Sequence, residues 1–221
     1  MSAGTAREGR EGRAAGAVPS GFAGVRRLMP PHANAGESVD WAAAGRIWGT
    51  TFPRDYVTFM AEYGEGTISD FLYVLQPLPS PYWTDPDTGM RAETANAGEL
   101  LMGVPRPPGS ALTPDRLIAW GVTSGPDLLC WLTSDPDPDR WPVVVLGRDT
   151  PEPATVHDCG MAEFLRRLFL AGFGKCPLSG TRLWGEHAPK FLHCREERRI
   201  WDAGIDPWTT TAPSAARPPG T

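Results

Sequence analysis

Two glycines one residue apart, Gly64 and Gly66, are followed by the hydroxyl side chains of Thr67 and Ser69. Such residues are typical of loops that bind phosphate groups, so nucleotide binding is the first chemistry to consider. A dinucleotide loop follows a strand and opens a helix, whose N-terminus then faces the phosphates. Here a helical stripe precedes Gly64, an apolar run follows it, and no Gly-Lys-Ser/Thr ending is present. The order predicts instead that Gly64 ends a helix and that Gly66 lets the chain turn into a strand.

Three aspartates, Asp135, Asp137 and Asp139, occupy alternate positions, as the first ligands of a calcium-binding loop do. An EF-hand loop also needs Gly after the third acid and Glu at its twelfth position, whereas this chain has Arg140 and Leu146 there. The pattern therefore favours a polar hairpin turn. A weak ion site or a contact for a basic partner is the alternative.

Thiol and imidazole side chains suggest two further chemistries. Four of them are of the types that bind zinc: Cys176, His187, His193 and Cys194. Their C-x10-H-x5-H-C spacing, however, matches no common zinc-binding pattern. Cys159 and His157 are two residues apart, and they share a face as nucleophile and base only if a strand continues that far. We therefore predict no cofactor, no metal and no catalysis, and a small cysteine- or zinc-dependent hydrolase is the least favoured alternative.

Composition narrows the classes of partner. The 221 residues carry a formal net charge of -5 and an isoelectric point near 5.4, which gives no broad attraction for nucleic acid or anionic lipid. The first twenty residues lack the apolar run of a signal peptide, and no apolar run is long enough for a membrane span. The four cysteines form no C-x-x-C pair, as expected for reduced thiols. We expect a cytoplasmic protein that binds neither membrane nor nucleic acid.

Helical periodicity is clearest in the first half of the chain. Residues 38–49 fit a short helix with Ser38 as its cap. Residues 53–63 begin with Pro53 and Asp55, which suit a first helical turn, and carry an apolar stripe at i, i+3, i+4 and i+7. Residues 68–77 predict one buried strand, and residues 91–103 a further helix.

The second half alternates short apolar runs with turn-rich segments. The runs at 116–121, 128–134, 141–147 and 154–158 predict four strands in an antiparallel meander, because parallel neighbours need longer crossovers. A helix over 159–174, capped by Asp158, is predicted to cover the sheet. The fold class is therefore α+β: a single domain with a mainly antiparallel sheet, made of the meander and one earlier strand, covered by helices.

Four segments follow from composition. Residues 1–35 are rich in Gly, Ala, Arg and Pro and predict a disordered tail, and residues 209–221 predict another. Residues 36–174 form the predicted domain. Residues 175–208 are a C-terminal extension with a polar surface helix, expected from Pro189 to Gly204.

Aromatic residues divide into two groups. Most of the nine tryptophans fall in predicted elements and are expected to pack in the core. Tyr82 and Trp83 lie instead in a Pro-rich loop beside Asp85 and Asp87, a combination typical of protein-binding patches. Folding of this loop back over the sheet is the equal alternative.

The chain resembles the SUKH superfamily, which contains bacterial toxin-immunity proteins and fungal regulators of cell-wall synthesis. The resemblance covers most of residues 38–172 and depends on an ordered set of motif residues, to which a structural role is assigned: Trp41, Pro53, Asp55, Tyr56, Tyr63, Gly64, Gly66, Trp120, Gly121, Trp131 and Trp141.

The resemblance implies a non-catalytic α+β domain that binds another protein, most often an immunity protein that neutralises a polymorphic nuclease or deaminase toxin. A regulatory or scaffold protein of the same fold is the alternative. A toxin that binds nucleic acid usually presents a basic site, to which acidic side chains would bind. The expected partner contacts, with no oligomeric state predicted, are Tyr82, Trp83, Asp85, Asp87, Asp135, Asp137 and Asp139.

Overall fold

The computed structural model describes residues 21–82, 88–105, 110–147 and 152–209. Its six α-helices are α1 (Gly21–Leu28), α2 (Trp41–Trp48), α3 (Arg54–Glu62), α4 (Met90–Met102), α5 (Met161–Phe169) and α6 (Cys194–Asp202). Its seven strands are β1 (Gly66–Ile68), β2 (Leu72–Val74), β3 (Leu117–Thr123), β4 (Leu128–Leu132), β5 (Val143–Leu146), β6 (Ala154–His157) and β7 (Phe191–His193).

All strands join one antiparallel sheet in the order β6-β5-β4-β3-β2-β1-β7. The meander predicted from four apolar runs is confirmed as β3 to β6, and the α+β class is confirmed with it. Only β7 joins out of sequence, because it pairs with β1 at the far edge.

Helices cover both faces of the sheet. The larger core lies under α1, α2, α3 and α5, and its centre is aromatic: the Tyr56 and Trp131 rings lie 4.8 Å apart, and both are fully buried. A smaller core, which includes Ala97 and Leu101, lies between α4 and the opposite face. Because apolar residues face both layers, β4 and β5 are buried along their whole length.

The predicted tail of residues 1–35 is wrong for its second part, since α1 belongs to the folded domain; residues 1–20 lie outside the described part of the chain. Val25 and Met29 are fully buried, and the Tyr63 hydroxyl donates to the Met29 carbonyl oxygen over 2.6 Å. Phe22 and Val25 in this short helix and Met29 just beyond it fall at i, i+3 and i+7, but Gly and Arg between them lower the mean hydropathy that a tail prediction depends on.

The single strand predicted over residues 68–77 is also wrong, because the chain folds there into the hairpin of β1 and β2. Ser69 and Asp70 adopt left-handed φ angles of 49° and 53°, and Phe71 N donates to Ile68 O over 3.0 Å. Asp70 is of a residue type that tolerates this conformation better than most, as a tight turn requires.

The C-terminal extension also differs from its prediction. A helix was expected from Pro189, but residues 191–193 form β7 before α6 begins at Cys194. The stop near Gly204 is confirmed, with a φ of 73° at that glycine. The extension therefore adds a strand to the sheet as well as a surface helix.

Two predicted helix caps are replaced by other aspartates. The Asp40 side chain, not Ser38, accepts from Ala43 N at the start of α2 over 2.9 Å. At the start of α5, Ala162 N donates to Oδ2 of Asp55, a residue of α3, over 2.9 Å, and Gly160 rather than Asp158 is the cap position. The Asp40 cap is a local contact at ordinary cap spacing, whereas the start of α5 depends on a contact between residues far apart in the sequence.

The glycines around Glu65 have the roles predicted from their order, with one addition. Gly64 ends α3 with a left-handed φ of 78°. Gly66 opens β1, where a Cβ would overlap the Leu192 carbonyl oxygen and lie 2.8 Å from the His193 Cα. The second glycine is therefore needed because the backbone of β7 approaches it closely.

No helix in the described ranges is long and apolar enough to cross a lipid bilayer.

Replacing Gly66 by Ala tests this close approach. The added methyl group forces β1 and β7 apart, so we expect the free energy of unfolding to fall by about 1–3 kcal/mol in urea titrations. Trypsin should also cleave faster after Lys190 and Arg195, which flank β7. Gly174→Ala is the control, because its Cβ meets open space and its stability should change by less than about 0.5 kcal/mol. Equal stability of Gly66→Ala and wild type would contradict the role assigned to Gly66.

Candidate functional site

The three alternating aspartates form a structured turn between β4 and β5. Asp135 Oδ1 accepts from Asp137 N over 2.8 Å, and Asp137 Oδ1 accepts from Asp139 N over 3.1 Å. The Trp141 indole nitrogen donates to the Asp135 carbonyl oxygen over 2.7 Å. We call residues 135–139 the acidic turn, and its own hydrogen bonds fix its shape.

Two arginines offset part of the charge of the acidic turn. Asp139 Oδ1 accepts from Arg54 N over 2.7 Å, and its other oxygen pairs with the Arg54 guanidinium, so the pKa of Asp139 is lowered, chiefly by the backbone hydrogen bond. Arg140 lies 3.8 Å from Asp135 and 3.9 Å from Asp137. Three carboxylates therefore face two guanidiniums. The Asp137 side chain is the most exposed of the three, at 56%.

Tyr82 lies against the C-terminal extension. Its hydroxyl accepts from Arg195 Nη1 over 3.3 Å, its carbonyl oxygen accepts from Arg198 Nη1 over 3.0 Å, and its ring packs edge-on to His193. Tyr82 is half-buried and has folded back onto the extension. The other predicted contacts of this loop lie outside the described residues: Trp83, Asp85 and Asp87.

The structure separates Tyr82 from the acidic turn. Asp139 binds the first residue of α3, Arg54, whereas Tyr82 packs on His193, which meets Gly64 just after the other end of that helix. A nine-residue helix is about 14 Å long. The predicted contacts therefore belong to two surfaces and not to one.

A group of buried polar residues, not predicted from the sequence, lies where β7 joins the sheet. We call Glu37, Glu65, Gln76, His193 and Cys194 the buried polar cluster. His193 is fully buried. Its Nδ1 accepts a hydrogen bond from Arg195 N over 3.1 Å, and its Nε2 lies 3.5 Å from Glu37 Oε2. A glutamate between two glycines at the start of a buried strand was the one available sequence signal.

Glu65 is the most enclosed carboxylate of this cluster, at 1% exposure. Its Oε2 accepts from Gln76 Nε2 over 3.1 Å and from the Ser80 hydroxyl at short range. Burial raises the pKa of Glu65, the hydrogen bonds from Ser80, Tyr73 and Gln76 lower it, and the charge of Glu37 raises it further, with a net increase. The charged form is therefore held at a cost in the folded state.

Cys194, His193 and Glu37 are arranged in space as a nucleophile, a base and an orienting acid would be. The Cys194 Sγ lies 3.5 Å from His193 Nδ1, but that nitrogen also accepts from Arg195 N. Burial and the charge of Glu65 raise the pKa of the thiol well above its ordinary value, and the residue is 4% exposed. A protonated thiol without access to substrate fits a structural role for the cluster.

The other thiol and imidazole pair has different neighbours. His157 Nε2 lies 3.0 Å from the Thr155 hydroxyl, and the ring packs on Phe164 and Phe173, so burial lowers its pKa. Burial raises the pKa of Cys159 to about 11. Neither shift favours a thiolate at neutral pH.

The four side chains considered for zinc do not assemble. Cys176 Sγ donates to the Gly180 carbonyl oxygen over 3.5 Å, whereas His193 and Cys194 belong to the buried polar cluster. Within the described ranges, no three His, Cys, Asp or Glu side chains are grouped so that they could hold a metal ion.

The described surface includes two pockets of a size that could hold a small ligand. One of about 530 Å³ lies at the N-termini of α1, α3 and α5 and includes Asp55, Asp139 and Glu163. Burial raises the pKa of Asp55, whose Oδ2 accepts from Ala162 N. The other, of about 760 Å³, lies beside β6 and includes His157 and Phe173. In both pockets the described lining residues cap helices or pack against neighbouring side chains.

Comparison of the chain with protein-family models, with curated proteins and with solved structures found no match.

The charge state of Glu65 gives a prediction on pH. Because its folded-state pKa is raised, its contribution to the free energy of unfolding is fully present below the ordinary carboxyl pKa of 4.5 and is lost as pH rises through the raised value. We expect wild type to gain stability relative to Glu65→Gln when urea titrations are moved from neutral pH toward 4.5.

Glu37→Gln is the matched variant. Burial alone would raise the pKa of Glu37, but His193 and backbone hydrogen bonding together lower it. Stability from Glu37 is therefore present above the ordinary carboxyl pKa of 4.5 and lost as pH falls through the lowered value, so wild type should lose stability relative to Glu37→Gln when the urea titrations are continued below pH 4.5. The same pH dependence in both comparisons would contradict the assignment.

Proposed function

We propose that this chain is a non-catalytic protein-binding module, and that it acts as an immunity-type protein that binds and neutralises a polymorphic toxin of the nuclease or deaminase class. The resemblance to the SUKH superfamily suggests this role. The single antiparallel sheet covered by helices is consistent with it.

The observation that carries the proposal is the rigid acidic turn. Its carboxylates are fixed by main-chain N–H groups before any partner arrives, which lowers the conformational entropy lost on binding. Its two arginines have highly exposed side chains, 90% for Arg54 and 73% for Arg140. They can swing away while the main chain keeps Asp135, Asp137 and Asp139 in place. A basic toxin surface would then replace the guanidiniums.

Aromatic motif residues support a scaffold role for the core. Tyr56 is fully buried and donates to the Leu75 carbonyl oxygen over 2.6 Å, and Trp120 and Trp131 are fully buried beside it. With such a core the binding chemistry is left to the loops and to exposed helices.

Co-expression tests the proposed function directly. We expect a toxin domain encoded beside this chain to kill bacteria when expressed alone and to be tolerated when the chain is present, with a stoichiometric complex on size-exclusion chromatography. Survival without a complex would contradict neutralisation by binding. Capture of a cellular regulator by the chain, with no protection against the toxin, would support the regulatory alternative instead.

Reversing the charge of the acidic turn tests the proposed contact. Asp135→Lys with Asp137→Lys should weaken toxin binding at least tenfold, or about 1.4 kcal/mol, in calorimetry. Asp135→Asn with Asp137→Asn retains the side-chain acceptors of the turn and should weaken it less. The control, Asp115→Lys with Glu99→Lys, makes the same change of charge at exposed positions on the α4 side of the sheet. Unchanged affinity of the Lys variant would rule out the acidic turn as the interface.

A further inference from the structure

Helix α6 leaves an apolar surface without a partner among the described residues. Cys194 is its one buried residue. Trp201 is 50% exposed and Ile205, just beyond the helix end, is 59% exposed. Gly204 N donates to Trp201 O over 2.8 Å and Ile205 N to Ile200 O over 3.2 Å, a closing turn that holds the main chain of both residues at the C-terminal end of the helix. Exposed tryptophan is the side chain most enriched in the energetic centres of protein interfaces.

The carboxylates of α6 are largely turned away from solvent or paired. Glu197 accepts from the Thr67 hydroxyl over 2.6 Å and from the Trp208 indole over 2.7 Å, which ties the helix to the sheet. Glu196 forms a two-bond pair with Arg199. Asp202 is the one α6 carboxylate on an exposed residue.

Arg195 and Arg198, in contrast, are exposed, and among the described residues their guanidiniums donate hydrogen bonds to uncharged acceptors. Arg195 donates to Tyr82 Oη and to the Asn34 carbonyl oxygen, and Arg198 donates to the Tyr82 carbonyl oxygen. Neither forms a salt bridge within the described ranges. A guanidinium has five N–H donors, so each retains donors for a carboxylate. Tyr82 therefore positions two cations that form no salt bridge with a described carboxylate, and the charge of Arg195 acts at longer range on Glu37 and Glu196.

We infer that this surface, defined by Arg195, Arg198, Trp201 and Ile205, binds an acidic segment of a partner protein that carries an apolar side chain next to its carboxylates. The charge complementarity is local, since the whole chain has a net charge of -5. Only two guanidiniums here lack a salt bridge among the described residues, and the whole chain is acidic; both facts favour a peptide over a nucleic acid, whose affinity grows with the number of phosphates neutralised. This surface is distinct from the acidic turn and does not depend on the proposed toxin contact.

The experiment uses the full chain and defined probes. A short fluorescein-labelled peptide of Glu and Leu in helical amphipathic order should bind with a Kd on the order of 0.1 mM by fluorescence anisotropy. Trp201→Ala with Ile205→Ser should weaken it roughly tenfold or more. Arg198→Glu should weaken it and strengthen binding of the same peptide with Lys in place of Glu, an inversion that loss of structure would not produce.

Helix α2 supplies matched controls, because Arg46 and Ile47 are also exposed there. Arg46→Glu and Ile47→Ser should leave the affinity unchanged. Equal weakening by these controls, or no binding of the Glu and Leu peptide, would overturn the inference.

Three further outcomes would overturn it in favour of another occupant. Tighter binding of an oligothymidylate than of the acidic peptide would assign the surface to single-stranded nucleic acid. Self-association that Trp201→Ala abolishes would assign it to a second copy. A marked rise in peptide affinity after removal of residues 210–221 would assign it to the chain's own end.

Discussion

Helix α3 is the element on which the rest of the structure depends, because its apolar side is buried while the polar groups at both of its ends need partners. At its start, Arg54 N donates to Asp139, which ties the helix to the turn between β4 and β5. In its middle, Tyr56 donates to the Leu75 carbonyl oxygen. At its end, Gly64 turns away beside His193. The contacts that satisfy the polar groups of α3 thus fix the acidic turn, the sheet and the C-terminal extension relative to one another.

Carboxylates inside the fold serve this assembly. The side chain of Asp55, in the first turn of α3, accepts a hydrogen bond from Ala162 N and so joins α3 to the start of α5. Glu65 and Glu37 lie in the buried polar cluster, and one of them has a raised and the other a lowered pKa. A polar joint of this kind is costly to bury, and it favours the one pairing of β7 with β1 that satisfies its hydrogen bonds.

The distribution of charge separates two surfaces. The acidic turn lies at the N-terminal end of α3, and the exposed arginines of α6 lie beyond its C-terminal end. A net charge of -5 describes neither surface, because ion pairs neutralise part of the turn, whereas two guanidiniums of α6 form no salt bridge in the described part of the chain. Tyr82, predicted as a partner contact, positions these arginines.

The sequence by itself determined the α+β class, the meander of β3 to β6, α3 with its glycine stop and the hairpin turn at Asp135, because each follows from periodicity or turn chemistry within a few residues. Tertiary structure decided the rest. Helix α1 is stable because Val25 and Met29 are buried by α3 and α5, β7 because β1 offers it an edge beside Gly66, and the buried polar cluster because residues far apart in sequence meet there. Such contacts depend on burial by distant parts of the chain, which local patterns do not encode.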